Sequence, residues 1–446
     1  MVSSIIGQPV NWSMIDHGEH TPWSPRDIVY SENLGLTVFC GYFFNEDGDP
    51  YLAGYNGNTW QSLSDTIAAD IFNVVDYESG VLVCGFGYVG TSSFTGIAYY
   101  NGLEWQYPWN FNEMVTKLVW ANNQLFAIGF FSEVDGIEIH NVAKLENSSW
   151  QSVLEPNTIE DGSISDLVYY EGSLYIGGNF ETANGIFDFA RIENGTTVAV
   201  ENGLVGANTG IRDLEVFNGE LYLAGIIPEF QGNVGNHIVR FDGQSFSNVG
   251  ASFYELPNTS SIGGNVLKML KRSGYLYALG SFYFAGFTPM YGVARWDGIE
   301  WCGVFGNEFL QGDSPFFNPV RSLGRYSEDL ILYVTYEDSD GNNSPLWKYT
   351  GNEVENCTGL LNSIEVLDHL RIKLYPNPST GLITLESENP VQRLAVFDAL
   401  GKLVYQENAQ SQTQVHIDLG HLPKGLYLVQ VEGDGFMGSR KVVLDR

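Results

Sequence analysis

Two short acidic segments are the parts of this chain best suited to do chemistry. Residues 45–49 read Asn-Glu-Asp-Gly-Asp and residues 338–342 read Asp-Ser-Asp-Gly-Asn. Carboxylate and amide oxygens are the hard ligands that Ca²⁺ prefers, so each segment could hold a calcium ion. Neither segment has the Gly at position six and the Glu at position twelve of an EF-hand loop, and each stands where a hairpin needs turn residues. We expect two ordinary turns and no cofactor, with Ca²⁺ as the alternative.

Motifs of catalysis are scarce. The chain has seven histidines, and His17 and His20 lack the His-Glu-x-x-His spacing that places two zinc ligands on one face of a helix. We find no Gly-x-Ser-x-Gly elbow, phosphate-binding loop or Cys-His nucleophile pair. Carboxylates gathered from separate parts of the chain would escape such a search. We predict no catalytic, cofactor-binding or metal-binding residue and favour a protein that is not an enzyme, with an enzyme as the alternative.

The composition favours an all-β protein. Of the 446 residues, 14% are aromatic, 51 are glycine and only 17% are charged. That profile suits turn-rich sheets and disfavours disorder. A chain of this length exceeds one ordinary core, so we expect at least two domains.

Negative charge is concentrated in the first four fifths of the chain. The formal net charge is −32. Residues 363–446 hold 8 basic and 10 acidic side chains, which leaves 13 against 43, a net charge of −30, for residues 1–362. Such a surface repels nucleic acid and anionic lipid, because binding to polyanions depends on Lys and Arg. We exclude nucleic acid as a partner. The charge is expected to provide solubility, with attraction of cations or cationic partners as the alternative.

Segments that cross or enter membranes are not evident. There is no run of 18 apolar residues, so no transmembrane helix is predicted. Residues 1–12 lack a basic start followed by an apolar stretch, so they are not expected to be a signal peptide.

Residues 28–358 repeat a unit of four short strands seven times. A turn precedes the last strand of each unit, and Asn-Gly or Asp-Gly there favours a type I′ hairpin with φ > 0 at both positions. A large apolar anchor follows, at separations of 45 to 55 residues that suit propeller blades. The turns are Asn56-Gly57, Asn101-Gly102, Glu146-Asn147, Asn194-Gly195, Asp242-Gly243, Asp297-Gly298 and Thr350-Gly351, and the anchors are Trp60, Trp105, Trp150, Val198, Phe246, Trp301 and Val354. We predict a seven-bladed β-propeller over residues 1–358.

Closure of the ring has two possible forms. A strand at residues 11–15 is an extra copy of the last strand and could pair with the seventh unit. That unit also has its own candidate last strand at residues 353–357. Eight blades is therefore the alternative, if residues 2–15 belong to a degraded blade.

A strand glycine also recurs, at positions 41, 85, 129, 178, 225 and 280, with Tyr336 in the seventh unit. Glycine leaves room for a neighbouring ring, so we expect the glycine and Trp positions to pack together between blades. The Trp residues are expected to be architecture rather than ligand contacts. Cys40 and Cys84 each precede this glycine and are expected to be buried free thiols. The order of Gly, aromatic residue and Trp resembles kelch-type propellers, which include enzymes and binding proteins, so it implies no activity.

Strand direction indicates which face of the propeller meets a ligand. The first-to-second and third-to-fourth turns are tight and share one face, whereas the second-to-third loops and the crossings between blades are long and share the other. We expect the ligand on this second face, called the loop face below. Aromatic side chains there could stack on sugars or anchor a protein, or alternatively cap the blade ends. The candidates are Trp109, Phe111, Phe230 and Tyr254.

Residues 371–446 predict a second domain, after a linker at 359–370. Short alternating or β-branched segments separated by turn residues favour an immunoglobulin-like β-sandwich. Its landmarks are Pro376, Asn377, Pro378, Gly381, Gly401, Gly425, Tyr427 and Lys441. Their order resembles the C-terminal sorting domain of type IX (Por) secretion, by which some Gram-negative bacteria export proteins across the outer membrane. The resemblance implies a secreted or cell-surface protein whose partner is the secretion machinery. The alternative is a plain immunoglobulin-like module.

These features predict an exported propeller that binds a glycan or a protein at the cell surface. The alternatives are a secreted carbohydrate-active enzyme and a structural component of a surface layer. Acidic side chains with raised pKa values at the channel mouth would favour the enzyme, and an aromatic shelf would favour binding.

Overall fold

The computed structural model describes residues 12–15, 24–42, 52–63, 67–89, 92–200, 204, 210–227, 234–235, 237–250, 253–254, 265–282, 284–285, 288–289, 292–304, 320–326, 329–334, 346–349, 372–398, 403–433 and 436–445. Every regular element in these ranges is a β-strand, so the protein is all-β. The described part of the chain contains no helix long and apolar enough to cross a membrane.

Six four-stranded antiparallel sheets follow one another along the chain, each with its strands in chain order. Runs such as Val81, Leu82 and Val83, near the start of a strand, are fully buried, as expected for β-branched and apolar residues of a sheet core. The first three sheets are β2 (Ser24–Ser31), β3 (Leu36–Tyr42), β4 (Ala53–Tyr55) and β5 (Trp60–Ser62); β6 (Ile67–Tyr77), β7 (Gly80–Val89), β8 (Ser92–Tyr100) and β9 (Trp105–Gln106); and β10 (Val115–Ala121), β11 (Gln124–Gly129), β14 (Val142–Glu146) and β15 (Ser149–Ser152). The next three are β16 (Ile159–Tyr170), β17 (Ser173–Thr182), β18 (Phe187–Glu193) and β19 (Thr196–Ala199); β20 (Gly210–Phe217), β21 (Glu220–Ile226), β22 (Ile238–Phe241) and β23 (Phe246–Asn248); and β25 (Asn265–Arg272), β26 (Tyr275–Ser281), β29 (Val293–Trp296) and β30 (Trp301–Gly303).

A further sheet joins the two ends of this part of the chain. It contains β31 (Val320–Tyr326), β32 (Asp329–Val334) and β33 (Leu346–Tyr349), and its outer strand is β1 (Trp12–Ile15). Trp12 pairs with Tyr349 and Ile15 with Leu346. We call this the terminal sheet. The competing last strand predicted at residues 353–357 lies outside the described residues.

The sheets have a propeller-like arrangement. The first strand of each sheet contacts the first strand of the next, from β2 through β6, β10, β16, β20 and β25, and β31 contacts both β25 and β2. Two small sheets form in the loops between these strands. One pairs β12 (Glu133–Val134) with β13 (Ile137–Glu138), and the other contains β24 (Phe253–Tyr254), β27 (Phe284–Ala285) and β28 (Thr288–Pro289).

The turns before the fourth strands differ in part from the predicted type I′ hairpins. Both central residues have positive φ at Asn147 and Ser148 and at Asn194 and Gly195. In the other four described turns the turn spans four residues and only its glycine has positive φ; Thr350 and Gly351 lie outside the described residues. The side-chain oxygen of the leading Asn or Asp instead accepts hydrogen bonds from the second and third following N–H groups, at Asn56, Asn101, Asp242 and Asp297. The Asx side chain therefore stabilises these four turns together with its own backbone N–H, which donates to the carbonyl three residues later at 3.2–3.4 Å.

The strand glycines have a different reason from the one predicted. A Cβ at Gly129 would lie 2.2 Å from the carbonyl oxygen of Met114, and one at Gly178 would lie 2.2 Å from that of Ser163. Ser163 lies in the first strand of its sheet and Met114 directly precedes the first strand of its own sheet, and in both sheets the register shifts at a β-bulge just after these residues. The prediction that the glycines admit a Trp ring was wrong at these positions, because the glycines admit the backbone of the adjacent strand next to its bulge.

The Trp anchors are part of the architecture. Trp150 and Trp301 are buried. The indole N–H of Trp105 donates to the Leu63 carbonyl at 2.8 Å, and that of Trp301 donates to the Val249 carbonyl at 2.8 Å. Each acceptor directly follows the fourth strand of the preceding sheet, so these indoles link neighbouring sheets. Cys40 and Cys84 are buried free thiols, whereas Cys302 is disulfide-bonded.

The C-terminal strands form one connected, barrel-like sheet of five strands. They are β34 (Lys373–Tyr375), β35 (Leu382–Phe397), β36 (Leu403–Asp418), β37 (Gly425–Gly433) and β38 (Phe436–Leu444). The strand β35 pairs with both β36 and β37, and its register with β36 is interrupted between Glu386 and Val391. One buried cluster, which includes Leu385, Val396 and Val429, fills this sheet.

Candidate functional site

A polar side chain occupies the same place in the first strand of all six sheets. In each of these strands the pairing with the second strand shifts at a β-bulge, and the first residue paired beyond the shift is polar. Because the first strands contact one another in order, these side chains are neighbours. The six residues, called the polar ring below, are Asp27, Asn73, Lys117, Asp166, Asp213 and Lys268.

The ring side chains that have an oxygen bind the backbone of the next sheet. In each case the donor is the N–H group of the residue that follows the next ring position. The four hydrogen bonds are Val74 N to Asp27 Oδ2 (3.2 Å), Leu118 N to Asn73 Oδ1 (2.8 Å), Leu214 N to Asp166 Oδ2 (2.8 Å) and Met269 N to Asp213 Oδ2 (2.7 Å). Asn73 Nδ2 also donates to Asp27 Oδ2 at 2.6 Å.

The two lysines of the ring form ion pairs, since an ammonium group cannot accept a hydrogen bond. Lys117 Nζ lies 2.8 Å from Asp166 Oδ1 and 3.3 Å from Asp213 Oδ1. Lys268 Nζ lies 2.5 Å from Asp27 Oδ1. Each lysine therefore connects sheets that are not consecutive along the chain, the third with the fifth and the sixth with the first.

Burial and charge shift the pKa values of these groups in different directions. Burial raises the pKa of Asp213 to about 7, and the charge of Asp166 adds to the effect, whereas Lys117 opposes it. Burial disfavours the charged form of Lys117, but Asp166 and Asp213 outweigh it and raise its pKa. Burial also disfavours ionisation of Asp27, but Lys268 and the Val74 N–H outweigh it and lower its pKa.

A buried carboxyl with a pKa near neutrality is a feature of many active sites, and it also arises in structural ion-pair networks. Here both Asp166 and Asp213 use one oxygen for the Lys117 ammonium and the other for a backbone N–H of an adjacent sheet. Within the described ranges no cluster of three or more His, Cys, Asp or Glu could hold a metal ion. The geometry of the ring favours a structural role. The two acidic segments predicted as alternatives for Ca²⁺ lie outside the described residues.

Trp109 and Phe111, two predicted ligand contacts, pack against the third sheet. Trp109 is half-buried, its indole N–H donates to the Ser148 carbonyl at 3.1 Å, and its ring centroid lies 5.4 Å from that of Trp150. Phe111 is only 2% exposed, and its Cβ lies 2.7 Å from the place of a Cβ at Gly96. Phe111 therefore packs against the third sheet and is shielded from solvent.

The other two predicted contacts are described only in part. Tyr254 lies in β24 and pairs with Phe284 in the small sheet of the loop face, but its side chain is not described. Phe230 lies outside the described residues.

Exposed aromatic side chains do occur at the loop-face ends of the second, third and fourth sheets. Phe86 and Tyr88 lie on the part of β7 that leads to the second-to-third loop, Phe130 follows β11, and Phe187 begins β18. Their exposed fractions are 45%, 59%, 47% and 58%. Sequence reasoning missed them, although Phe86 and Phe130 each directly follow a repeated strand glycine.

In the C-terminal domain, the Pro-Asn-Pro landmark lies along the last strand. Asn377 Nδ2 donates to the Lys441 carbonyl at 2.7 Å, and Asn377 Oδ1 accepts from Val443 N at 2.9 Å. Ser379 N donates to the Val443 carbonyl at 2.8 Å, and Asp445 N donates to the Ser379 carbonyl at 2.9 Å. The segment thus covers the outer edge of β38 as a further strand would.

The remaining landmarks lie close to this edge or hold its neighbours in place. Pro376 and Pro378 are exposed and both follow cis peptide bonds. Gly381 has φ 137° and its carbonyl accepts from Leu419 N at 2.8 Å. The buried Tyr427 donates its hydroxyl to the Pro423 carbonyl at 2.7 Å. Gly425 begins β37 and pairs with Leu444 of β38, whereas Gly401 lies outside the described residues.

These observations define an all-β protein with a propeller-like arrangement of sheets and a barrel-like C-terminal sheet. Residues 373–445 match the family described as "Secretion system C-terminal sorting domain". This C-terminal segment belongs to that family and is a type IX secretion sorting domain, which confirms the resemblance seen in its landmarks.

Comparison with curated proteins gives no match for this chain. Among solved structures, the chain is similar to the extracellular domain of a protein described as a hybrid two component system from B. thetaiotaomicron, with a TM-score of 0.43 and 11% identity over 98% of this chain and 58% of that one. It is also similar to a Trypanosoma rangeli sialidase in complex with the inhibitor DANA, with a TM-score of 0.33 and 8% identity over 95% of this chain and 84% of that one. This chain thus spans 58% of the length of the first of these structures. Likenesses at these scores support no statement about function.

Proposed function

We propose that this protein is a non-enzymatic binding module, a β-propeller that recognises a glycan or a protein at the cell surface. The sorting domain implies export by the type IX machinery to the exterior or the surface of a Gram-negative bacterium of the Bacteroidetes type. The propeller is the exported cargo, and its ligand contacts lie on the loop face.

We further propose that the propeller has seven blades and is kelch-like in the order of its Gly and Trp positions. The pairing of β1 with β33, which gives the terminal sheet four strands like the other six, supports this number. The contacts of β31 with both β25 and β2 support a closed ring. For the C-terminal domain, the break in β35 between Glu386 and Val391 supports a sheet that folds over its core as an immunoglobulin-like sandwich.

Binding is favoured over catalysis by the exposed aromatic residues of the loop face. Phe86, Tyr88, Phe130 and Phe187 come from three successive sheets. Flat, exposed rings on a rigid scaffold can stack on sugars or anchor a protein segment. Tyr254 of β24 belongs to the same face by its position in the chain. The carboxylates of the polar ring, in contrast, are committed to lysines and backbone N–H groups.

The binding proposal is tested by a glycan array probed with the full chain. We expect the double variant Phe86→Ser with Phe130→Ser to lose binding, because both rings leave the loop face. The matched control is Leu103→Ser with Ile299→Ser, two residues that are 92% and 84% exposed at turns on the opposite face. Equal binding by the wild type and the loop-face variant would exclude these rings as sugar contacts.

The export proposal is tested by expression in a type IX competent host with and without residues 363–446. We expect the full chain outside the cell or at its surface and the truncated chain in the periplasm. Equal surface display of both forms would contradict a targeting role for this segment.

A carbohydrate-active enzyme is the second candidate, because the pKa of Asp213 lies near 7. Hydrolysis of a glycan that the array identifies, abolished in Asp213→Asn without loss of binding, would establish it. A structural surface-layer component is the third, and self-association at low micromolar concentration in sedimentation would support it.

A further inference from the structure

The polar ring joins the first six sheets in a closed circuit. Asp27 binds the second sheet, Asn73 binds the third, and Lys117 binds the fourth and the fifth. The fifth sheet binds the sixth through the hydrogen bond from Met269 N to Asp213.

The last link of the circuit returns from the sixth sheet to the first. Lys268 of β25 reaches Asp27 of β2, a residue 241 positions earlier in the chain. The terminal sheet lies between these two sheets, since β31 contacts both β25 and β2. Ser322 of β31 stands at the equivalent place after a register shift, but its side chain is not described. Among the described side chains, the circuit thus closes without the terminal sheet.

Each member of this last link needs the other. Asp27 is 8% exposed, and an ionised carboxylate at such a position requires a cation or several donors. The Val74 and Asn73 donors both bind Oδ2, which leaves Oδ1 for Lys268. Removal of the lysine would leave a buried negative charge beside a backbone N–H that is not strong enough to neutralise it.

We propose that the polar ring keeps the propeller closed, because Lys268 holds the first strand of the sixth sheet to the first strand of the first sheet. It acts independently of β1, which completes the terminal sheet from outside by backbone pairing. The inference rests on the geometry of the ring and does not depend on the ligand or on export.

The test compares full-length variants by thermal unfolding at neutral pH. We expect Lys268→Met to lower Tm by roughly 5–10 °C, because Asp27 loses its counter-ion at a buried site. The matched control is Lys144→Met, which removes the same charge from an ion pair within one strand whose carboxylate, Glu146, is 43% exposed, against 11% for the Asp27 side chain, and it should shift Tm by about 1 °C or less.

A double variant separates charge pairing from lost packing. Asp27→Asn with Lys268→Met removes both charges and keeps an oxygen for the Val74 N–H, so it should recover more than half of the Tm lost in Lys268→Met alone. Hydrogen exchange should show faster exchange in β2 and β25 of the single variant than of the double variant. If Lys268→Met is insoluble, a folded double variant still supports the proposal.

Three results would overturn the proposal. The first is a change in Tm that is no larger in Lys268→Met than in Lys144→Met. The second is a double variant that is no more stable or soluble than Lys268→Met. The third is faster hydrogen exchange in Lys268→Met that is spread evenly over all the sheets.

Discussion

The Asp213 carboxyl gives the stability of the propeller a dependence on pH near neutrality. Its pKa is raised by burial to about 7, from an ordinary value near 4. The folded protein therefore binds this proton more tightly than the unfolded chain does. The resulting stability is fully present below about pH 4 and is lost as the pH rises through about 7, at up to about 1.4 kcal/mol per pH unit.

We predict that Asp213→Asn removes this dependence. The amide oxygen can still accept from Met269 N, but the side chain no longer titrates beside Lys117 and Asp166. The free energy of unfolding of the variant should rise relative to that of the wild type between pH 5 and pH 8, in urea denaturation at each pH. The exposed Glu160→Gln is the control. Parallel profiles of Asp213→Asn and the wild type would contradict the prediction.

His237 has the opposite dependence. It is 2% exposed, and burial lowers its pKa to about 4 even though a hydrogen bond with the Gly225 backbone opposes this shift. Its contribution to stability is present above its ordinary pKa near 6.5 and is lost as the pH falls from there towards 4.

We predict that His237→Asn loses less stability than the wild type between pH 6.5 and pH 4.5. Asn tolerates the φ of 66° at this position, and the equivalent place in the third sheet is Asn141, with φ 58°. The slope of unfolding free energy against pH, which is up to about 1.4 kcal/mol per pH unit for one such group, should decrease in the variant. His421→Asn, at an exposed site, should leave the slope unchanged.

At the scale of elements, strands and turns could be predicted from local sequence. The physical reason why a glycine recurs in the second strand of each sheet could not. The Asn-Gly and Asp-Gly pairs marked real turns because turn formation depends on a few adjacent residues. The glycine in the second strand is required because the first strand approaches it closely beside a bulge. That contact joins residues that are not adjacent in sequence. The ring was missed for the same reason, although a polar residue stands 12 positions before the glycine in five repeats, at Asn73, Lys117, Asp166, Asp213 and Lys268.

The close approach of the first strand predicts the effect of adding a side chain at a glycine of the second strand. Gly178→Ala would place its Cβ 2.2 Å from the Ser163 carbonyl oxygen. We expect a loss of about 1–3 kcal/mol in the free energy of unfolding, because backbone must shift to relieve the contact. Gly210→Ala is the control, since its nearest neighbour, Asn179 Cβ, would be 3.9 Å away. Chemical denaturation measures both, and equal losses would contradict the argument.

The hydrogen bonds between Asn377 and the last strand of the sorting domain lead us to predict that their loss reduces export. Asn377→Ala removes two hydrogen bonds to β38, each of which contributes about 0.5–1.5 kcal/mol. We expect faster hydrogen exchange at residues 441–445 and less protein at the cell surface. The exposed Asn408→Ala in β36 should change neither. Normal export together with faster exchange would show that the machinery does not require this edge to be held.

At the scale of the whole molecule, two parts with different chemistry follow one another. The first 362 residues carry nearly all of the net negative charge, and the landmarks of export lie in the last 76. The six successive four-stranded sheets could be recognised from sequence because their units repeat the same turn and anchor. Which strand completes the terminal sheet could not be decided, since residues 11–15 and 353–357 have similar patterns and only long-range pairing distinguishes them.

The contacts of β1 predict how much its pairing with the terminal sheet contributes to stability. Ile15 is 4% exposed and packs with Ile28 and Phe39 of the first sheet, while its backbone pairs with Leu346 of the terminal sheet. Removal of residues 1–15 should lower Tm by roughly 5–15 °C, through the lost burial of Ile15 and the unpaired edge of β33, and should promote self-association through that edge. Unfolding should remain one cooperative transition, because Lys268 still holds the sixth sheet to the first. The control is removal of residues 1–11 alone, which spares β1. Tm is measured by calorimetry and self-association by sedimentation. If both truncations gave the same result, β1 would not close the ring.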